Sequence, residues 1–487
     1  MDITVVGAGH VGLVSAACLS AVGHRVRVQD IDADRIERLT AGETPFLEPD
    51  LPEVLCLGRQ AGRLSFHTDP VDALPGAALV FVCVNTSAGP DGGVDLTGVI
   101  SATRAAARHA SDGAVLVNRS TSPVGTAHYI LSILEECRGR AIGVAVNPEF
   151  LAEGPAVHDF LVPDRVVFGA WEEESLARLR LAYEPILERR LPVEVPSTIR
   201  TAAGQTAGRV PLVVTRPPTA ELTKYAANAF LAVRISFVNE IAGIAEEVGA
   251  DVSEVARAIG LDHRIGPHFL QAGIGWGGSC FPKDILALQG MAETHGLAAR
   301  MLRAANTVNA EQHRWVVRKL QRYLKTLFGR RVALLGLSFK PKTDDLRSAP
   351  ALEIGSQLAR LGALVRAFDP VVKSLPPDLG GLIELADDPL SAARGADALV
   401  LVTEWSEFAE LDLDEIRSVM KTPLLLDGRN LFDPDAARAA GFTYVGVGRE
   451  PSAVELIGER AEGKGFAAET WDQDALVGVV QIAAAGR

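Results

Sequence analysis

The sequence predicts an α/β fold in which two doubly wound domains, each built on a parallel sheet, are joined by a central domain of long helices. Three observations carry this reading. Short β-rich runs alternate with helical stretches from residue 1 to about 170. The rhythm breaks at Thr219, where apolar residues recur at helical spacing without proline to about residue 248. It resumes after Gly329.

In chain order, the first strand candidates are residues 3–6, 26–29, 79–82, 115–117, 144–146 and 165–168, with amphipathic helices such as 11–22 and 96–108 between them. These belong to an N-terminal domain over residues 1–215. Within it, residues 197–210 (STIRTAAGQTAGRV) show little apolar periodicity and read as an inserted, exposed loop. A central helical domain follows over 216–328, with long helices at 219–248 and about 298–327. A helix of that length suits a dimer seam, and pattern alone suits burial within one chain equally well. Strand candidates 332–335, 364–368, 398–402 and 424–426, with a helix near 351–361, make a second, smaller domain over 329–450. Residues 451–487 read as a loosely attached tail of unassigned role.

Composition narrows the function classes. A chain of 487 residues with 48% hydrophobic and 22% charged residues has material for several cores. The formal net charge of −13 offers no basic footprint for a nucleic acid, so none is expected as a partner. Cys18, Cys56, Cys83, Cys137 and Cys280 show no paired spacing, which suits a reducing cytoplasm and neither a disulfide framework nor a metal site. The apolar N-terminus lacks a basic leader, and no uninterrupted run of membrane-spanning length occurs, so no membrane partner is expected.

The turn Gly7-Ala8-Gly9-His10-Val11-Gly12 lies between a predicted strand and a predicted helix. Glycines there allow a tight turn and close approach of a pyrophosphate to the helix N-terminus, the fingerprint of a Rossmann-like dinucleotide site. Asp30, ending the next strand, can accept hydrogen bonds from ribose hydroxyls and would repel a 2′-phosphate, which favours NAD over NADP. Arg35 either sits over the adenosine or is a solvated helix residue.

The most informative segment is GIGWGGSCFPKD, residues 273–284. Its glycines are poor core material and deliver Cys280 to a helix start, where Pro282 fits the first turn and backbone amides favour the nucleophilic thiolate. Asp284, one helical turn on, can place a carboxylate beside the sulfur. In AELTKYAANAF, Lys224 and Asn228 project from one helix face and can hold a hydroxyl, then stabilise an oxyanion. In NPEFLAEG, just after a strand, Glu149 and Glu153 can act as base or water-binding groups.

Together with GAGHVG, RSTSPVGT, DFLVPDRVVFG and GLSFKPKTDDLRSAP, these motifs resemble the UDP-glucose/GDP-mannose dehydrogenase family, in the family's order, over roughly residues 1–450. The resemblance implies two Rossmann-like domains joined by a long-helix domain, NAD as cofactor, a UDP-sugar substrate, and a homodimer or higher homo-oligomer. It implies Cys280 as nucleophile, Asp284 as its partner carboxylate, Lys224 and Asn228 as the oxyanion pair, and Glu149, Glu153 and Thr121 around the hydrolytic water. It places Gly7, Gly9, Gly12, Asp30, Arg35, Thr86, Ser120, Glu153, Lys283 and Arg347 near NAD. It places Glu149, Phe150, Leu151, Lys224, Asn228, Phe269, Gly273, Gly277, Phe339, Lys340 and Arg429 near the nucleotide sugar, with Arg264 reaching a neighbouring subunit's site. Trp276 and Ser122 depart from the family's commoner Tyr or Phe and Val, as does Asn85-Thr86 before an Ala-Gly stretch, which bears on pocket shape.

The reaction so implied is oxidation of a sugar alcohol to a carboxylate in two hydride transfers, through a thiohemiacetal and a thioester on Cys280, with Asp284 or a water it orders as base. The PDRVV that follows NPEFLAEG favours UDP-glucose, giving UDP-glucuronate for polysaccharide biosynthesis, over GDP-mannose or a UDP-N-acetyl-aminosugar. A one-step β-hydroxyacid dehydrogenase needs neither Cys280 nor residues 330–450. A non-catalytic NAD sensor would lack one or more reactive groups.

Overall fold

The computed structural model describes residues 1–87, 93–138 and 141–449. The expected tail lies outside them. Strands β1 (Asp2–Val6), β2 (Arg25–Gln29), β3 (Leu64–His67), β4 (Leu79–Val82), β5 (Val115–Asn118), β6 (Gly143–Val146), β7 (Val166–Ala170) and β8 (Leu212–Thr215) form one sheet in the order β3-β2-β1-β4-β5-β6-β7-β8. Every pairing is parallel except β6 with β7. Strands β9 (Arg331–Leu335), β10 (Leu364–Phe368), β11 (Ile383–Leu385), β12 (Ala398–Leu401), β13 (Leu424–Asp427) and β14 (Thr443–Gly446) form a second, all-parallel sheet, β11-β10-β9-β12-β13-β14. Both repeat the 3-2-1-4-5-6 order of a dinucleotide fold, so each has a crevice where the order reverses, beside β1 and β4 in one and β9 and β12 in the other.

Continuous apolar strands such as Leu-Val-Phe-Val of β4 are buried on both faces because helices cover both sides of the sheet. Ile3, Val5 and Phe81 enter one core layer and Val6, Val80 and Val82 the other, the period-two alternation of a strand. The second sheet divides likewise, Val332 and Leu334 on one side and Ala333 and Leu335 on the other.

Between the sheets, the helix Pro217–Val248 starts on two prolines, whose fixed φ suits a first turn, and ends at Gly249, in the left-handed region at φ 73°. It packs against Arg300–Leu324 and Phe281–Thr294. By length and composition it is the one described helix able to cross a membrane, yet its inner face is core. On its outer face Phe230, Phe237 and Ile244, seven residues apart, are 62%, 51% and 53% exposed.

The expected loop at 197–210 is a correction: Ser197–Gln205 is a helix that buries Ile199 and Ala203. Two apolar contacts one turn apart suffice to dock a short helix, and they are too few to register as periodicity. Four strands, β3, β8, β11 and β14, were not anticipated. The edge strand β8 exposes both of its central valines, and β11 has three residues.

Candidate active site

The carboxyl ends of both sheets meet across the glycine loop that precedes Cys280. On the cofactor side, Gly7 (φ 103°) donates its N–H to Gln29 O at 2.7 Å, and a Cβ there would lie 2.6 Å from Cys83 O. A Cβ on Gly12 would meet Gly7 O at 1.9 Å, so neither of these two positions admits a side chain. Gly9 instead faces open space and is the N-cap of the helix His10–Ala21, with no side chain satisfying its first amides. An uncapped helix start beside open space fits a pyrophosphate. Asp30 follows β2 directly. Its Oδ2 accepts from Ala8 N at 2.6 Å and lies 3.3 Å from Arg35 Nη1, which makes Arg35 a brace for the acid.

Across the crevice, Ser120 Oγ donates to Val84 O at 2.8 Å, and Thr86 Oγ1 donates to the Thr121 carbonyl at 2.7 Å, locking the β4 and β5 loops together. Ser122 is buried and its hydroxyl accepts from Asn118 Nδ2 at 2.8 Å. These chain-own features fit NAD: free amides, an acid at the ribose position, and polar loops at the strand ends.

Cys280 caps the helix Phe281–Thr294, with Pro282 in its first turn. The loop before it is held from both sides. Gly273 N donates to Asn239 Oδ1 at 2.8 Å, and Asn309 brackets Trp276, accepting from its N at 2.7 Å and donating to its O at 2.9 Å. Arg429 donates to Gly275 O at 3.0 Å and to Val402 O at 2.7 Å, clamping the loop to the second sheet. Close packing explains the glycines. A Cβ on Gly277 would lie 2.1 Å from Ser348 O, and one on Gly278 would lie 2.7 Å from the Phe339 ring. Trp276 is buried against Ala229, Ala232 and Ile285, so the helical core absorbs this departure from the family's pattern.

Electrostatics correct one expectation. Burial pushes the Cys280 thiol above its ordinary value and Glu149 pushes it further; Lys224 and the Ser279 hydroxyl, 3.6 Å from Sγ, pull against them. The helix start does not by itself make a thiolate here, so attack must be accompanied by proton removal.

Lys224 and Asn228 share a face of the long helix, but each already has a partner. Lys224 Nζ lies 2.8 Å from Glu149 Oε1, both side chains 5% exposed. Asn228 donates to Asp284 Oδ2 at 2.6 Å, while Lys283 holds the other oxygen at 2.7 Å. Burial alone would raise Glu149, but the Lys224 ammonium and the Leu151 amide, at 2.7 Å, reverse this and hold the carboxyl below its ordinary range. Burial would lower Lys224, and Glu149, Cys280 and Asp284 together raise it, so the ammonium persists. Phe150 roofs the pair, with Arg165 stacked 3.7 Å above its ring and Lys224 5.8 Å from it.

Glu153 joins all three parts of the chain. It accepts from Ser279 Oγ at 3.2 Å and Thr343 Oγ1 at 3.0 Å, and Arg347, itself paired to Asp345 at 2.7 Å, lies 3.5 Å away. Burial and the neighbouring Asp345 raise its proton affinity; His10, Arg347 and Thr343 oppose them. Burial lowers Lys340, against the pull of Glu153, Glu48, Asp159 and Cys280. Phe269 sits at a left-handed φ of 61°. Arg264 is not drawn into this cluster: its side chain is 78% exposed and pairs with Asp262 at 2.6 Å.

Sequence profiles of the UDP-glucose/GDP-mannose dehydrogenase family match three stretches of the chain: the NAD binding domain over residues 1–187, the central domain over 218–311 and the UDP binding domain over 333–434. The chain belongs to this family. Curated family relatives include the UDP-glucose 6-dehydrogenases of Pseudomonas aeruginosa, 43% identical over 92% of this chain and 98% of that protein, and of Rhizobium meliloti, 42% identical over 92% and 100%. Among solved structures, a UDP-glucose dehydrogenase from the hyperthermophilic archaeon Pyrobaculum islandicum superposes with a TM-score of 0.82 at 35% identity, covering 92% of this chain and 98% of that one. As in the family profile, the N-terminal domain of this dehydrogenase takes NAD as its cofactor.

Several residues that shape the site escaped the sequence reading. Arg119 is buried at the end of β5, donating to Asn147 Oδ1 at 2.6 Å and Ser15 Oγ at 3.0 Å. Glu221 accepts from the Gly125 and Ala127 amides, both at 2.7 Å, and caps the turn after Thr121. Glu48 accepts from the distant Gly154 and Ala156 amides and meets the His10 ring, and Asn309 binds the distant Trp276 backbone, none of which any spacing in the sequence reveals.

Proposed function

We propose that the chain oxidises UDP-glucose to UDP-glucuronate with two NAD per sugar, through a thiohemiacetal and then a thioester on Cys280. The observation that carries this reading is the position of Cys280. It stands at a helix start within electrostatic reach of Glu149, Lys224 and Asp284, on a loop tied to the residues that follow β6 and β13. NAD, when bound, supplies the hydride acceptor for each oxidation.

The chain's own groups do the rest. Asp284, or a water it orders, takes the proton of the sugar hydroxyl as the alcohol becomes an aldehyde. The Cys280 sulfur adds to the aldehyde carbon as its thiol proton passes to the former aldehyde oxygen, which gives the thiohemiacetal. Lys224 and Asn228 hold the oxygen on which charge gathers, an ammonium and an amide aimed into a buried site where each is worth more than in water. Loss of the second hydride, with the hydroxyl proton taken by Asp284 or the water it orders, leaves a thioester. Water then cleaves the carbon–sulfur bond, releasing a carboxylate and restoring the thiol, with Glu153, Glu149 and Thr121 placing the water. Lys340, Arg429, Phe339 and Phe269 bind the nucleotide sugar; Gly9, Asp30, Ser120 and Thr86 bind NAD. We assign the exposed stripe of Phe230, Phe237 and Ile244 to a homodimer seam and Arg264 to the partner subunit's site, and we place the enzyme in the cytoplasm.

The test is stoichiometry. A panel of UDP-glucose, GDP-mannose and UDP-N-acetyl-aminosugars is assayed for NADH and for acid product. UDP-glucose should give two NADH per sugar and no free aldehyde, and Cys280→Ser should make no net uronate. One NADH per sugar, or uronate made at the normal rate by Cys280→Ser, refutes the thioester route.

A further inference from the structure

We propose that Glu48 is a positioning residue that couples the cofactor turn to the loop carrying Glu153. It lies outside every motif of the reaction, between the helices Ala33–Ala41 and Leu51–Gln60, and is 2% exposed. Its Oε2 lies 2.7 Å from His10 Nε2 and accepts from Gly154 N at 2.7 Å, while Oε1 accepts from Ala156 N at 2.8 Å.

These contacts reach two working parts at once. His10 is the first residue of the helix whose free amides face the glycine turn, and its ring rests on Phe46, 5.0 Å between centroids. Gly154 adjoins Glu153, so its amide fixes where that carboxyl can stand. The neighbouring Leu47 N reaches a third part, donating to Asp344 Oδ1 at 3.2 Å, next to the Thr343 that holds Glu153. Residues 46–48 thus form a strut among the cofactor turn, the Glu153 loop and the second sheet's loop.

The chemistry requires a carboxylate. Two oxygens serve two backbone N–H donors and an imidazole nitrogen, and ionised acceptors make the stronger hydrogen bonds. A glutamine is nearly isosteric, yet whichever way it is turned its NH2 group faces one of those backbone N–H groups. One backbone amide then loses its acceptor and the loop must shift. Displacement of a catalytic group by about 1 Å can lower a rate by about 100-fold.

The proposal rests on the reading that Glu153 places the hydrolytic water, and the experiment separates the two. Full-length E48Q, H10A, H10Q and E153Q are compared with the unsubstituted enzyme. NAD affinity is measured without sugar, and the NADH burst is measured on mixing with UDP-glucose and NAD. E48Q should weaken NAD by about tenfold, the loss of one hydrogen-bonded brace. It should also make thioester hydrolysis slow, so that a burst approaching two NADH per active site precedes a slower steady rate. H10A should weaken NAD without that burst. H10Q, whose amide N–H can still reach Glu48, should regain most of the affinity. E48Q that lowers only the thermal midpoint, with affinity and burst unchanged, overturns the proposal. So does equal NAD affinity in H10A and H10Q, a comparison that stands even if E48Q does not fold. A burst in E153Q but not in E48Q overturns the hydrolytic arm through Glu48. No burst in E153Q sinks the Glu153 reading and with it that arm.

Discussion

Replacing Lys224 by methionine keeps the apolar stem of a buried side chain and removes its charge. The ammonium lies 2.8 Å from Glu149 Oε1, and both side chains are 5% exposed. At an effective dielectric of about 20 the attraction at that distance is about 6 kcal/mol, much of it spent against desolvation. Removing one partner leaves Glu149 buried with the Leu151 amide at 2.7 Å and no cation at its other oxygen. The expected loss is about 3–5 kcal/mol at pH 8, and Lys224→Met with Glu149→Gln should recover at least about 2 kcal/mol of it. The pH dependence has a definite sign. In the native protein the folded Glu149 carboxyl is held below its ordinary 4.5, so it contributes stability above that value and loses it as pH falls through the depressed one. In the variant only the Leu151 amide and Arg119 still oppose burial, so the folded value moves up and the variant loses less stability than the native protein as pH falls. The gap between native and variant should therefore be widest at pH 8 and narrow toward pH 5. Urea melts followed by tryptophan fluorescence measure this. A loss under about 1 kcal/mol, or a gap that widens on acidification, refutes the coupling.

Gly277→Ala puts a methyl where Ser348 O lies 2.1 Å away, so the glycine loop must part from residues 348–350. The substitution should destabilise by about 1–3 kcal/mol and lower turnover more than NAD affinity, checked by melting and steady-state kinetics. Burial raises the Glu221 carboxyl to about 7 despite two amide donors. The folded state then holds a proton that the unfolded state gives up near 4.5, so stability falls as pH rises from about 4.5 to 7. Glu221→Gln should flatten that slope in melts taken across the window, and an unchanged slope would assign it elsewhere. Mixing Arg264→Ala with Cys280→Ser protein should restore some activity if the exposed Arg264 serves the partner's site; no recovery after proven subunit exchange counts against it.

Much of this site could be read from the chain alone. Cys280, Lys224 and Asn228 stand in motifs whose spacing is itself the geometry, one helix start and one helix face. Both sheets were legible where strands are buried on both sides, as with β4 and β12, because such strands are uninterrupted apolar runs. Legibility failed where a few tertiary contacts decide. The helix Ser197–Gln205 rests on Ile199 and Ala203, and β8 is an edge strand with exposed valines, so neither has enough buried positions to show a period. The acidity of Cys280 was misjudged for a related reason. A helix start is local and visible in sequence, whereas burial and a glutamate more than a hundred residues away are not. Glu48 and Arg119 stand apart from the motifs because their partners are backbone groups and side chains far away in the chain.

Glu153 spans the seam between the two sheets, and its raised proton affinity has burial and Asp345, across that seam, as its two largest causes. Residues 343–347 thus act on this carboxyl in both directions, Asp345 raising its proton affinity and Arg347 and Thr343 lowering it. The proton affinity of Glu153 is therefore set jointly by groups on both sides of the seam, so a substitution in either sheet's loop is felt at this one carboxyl.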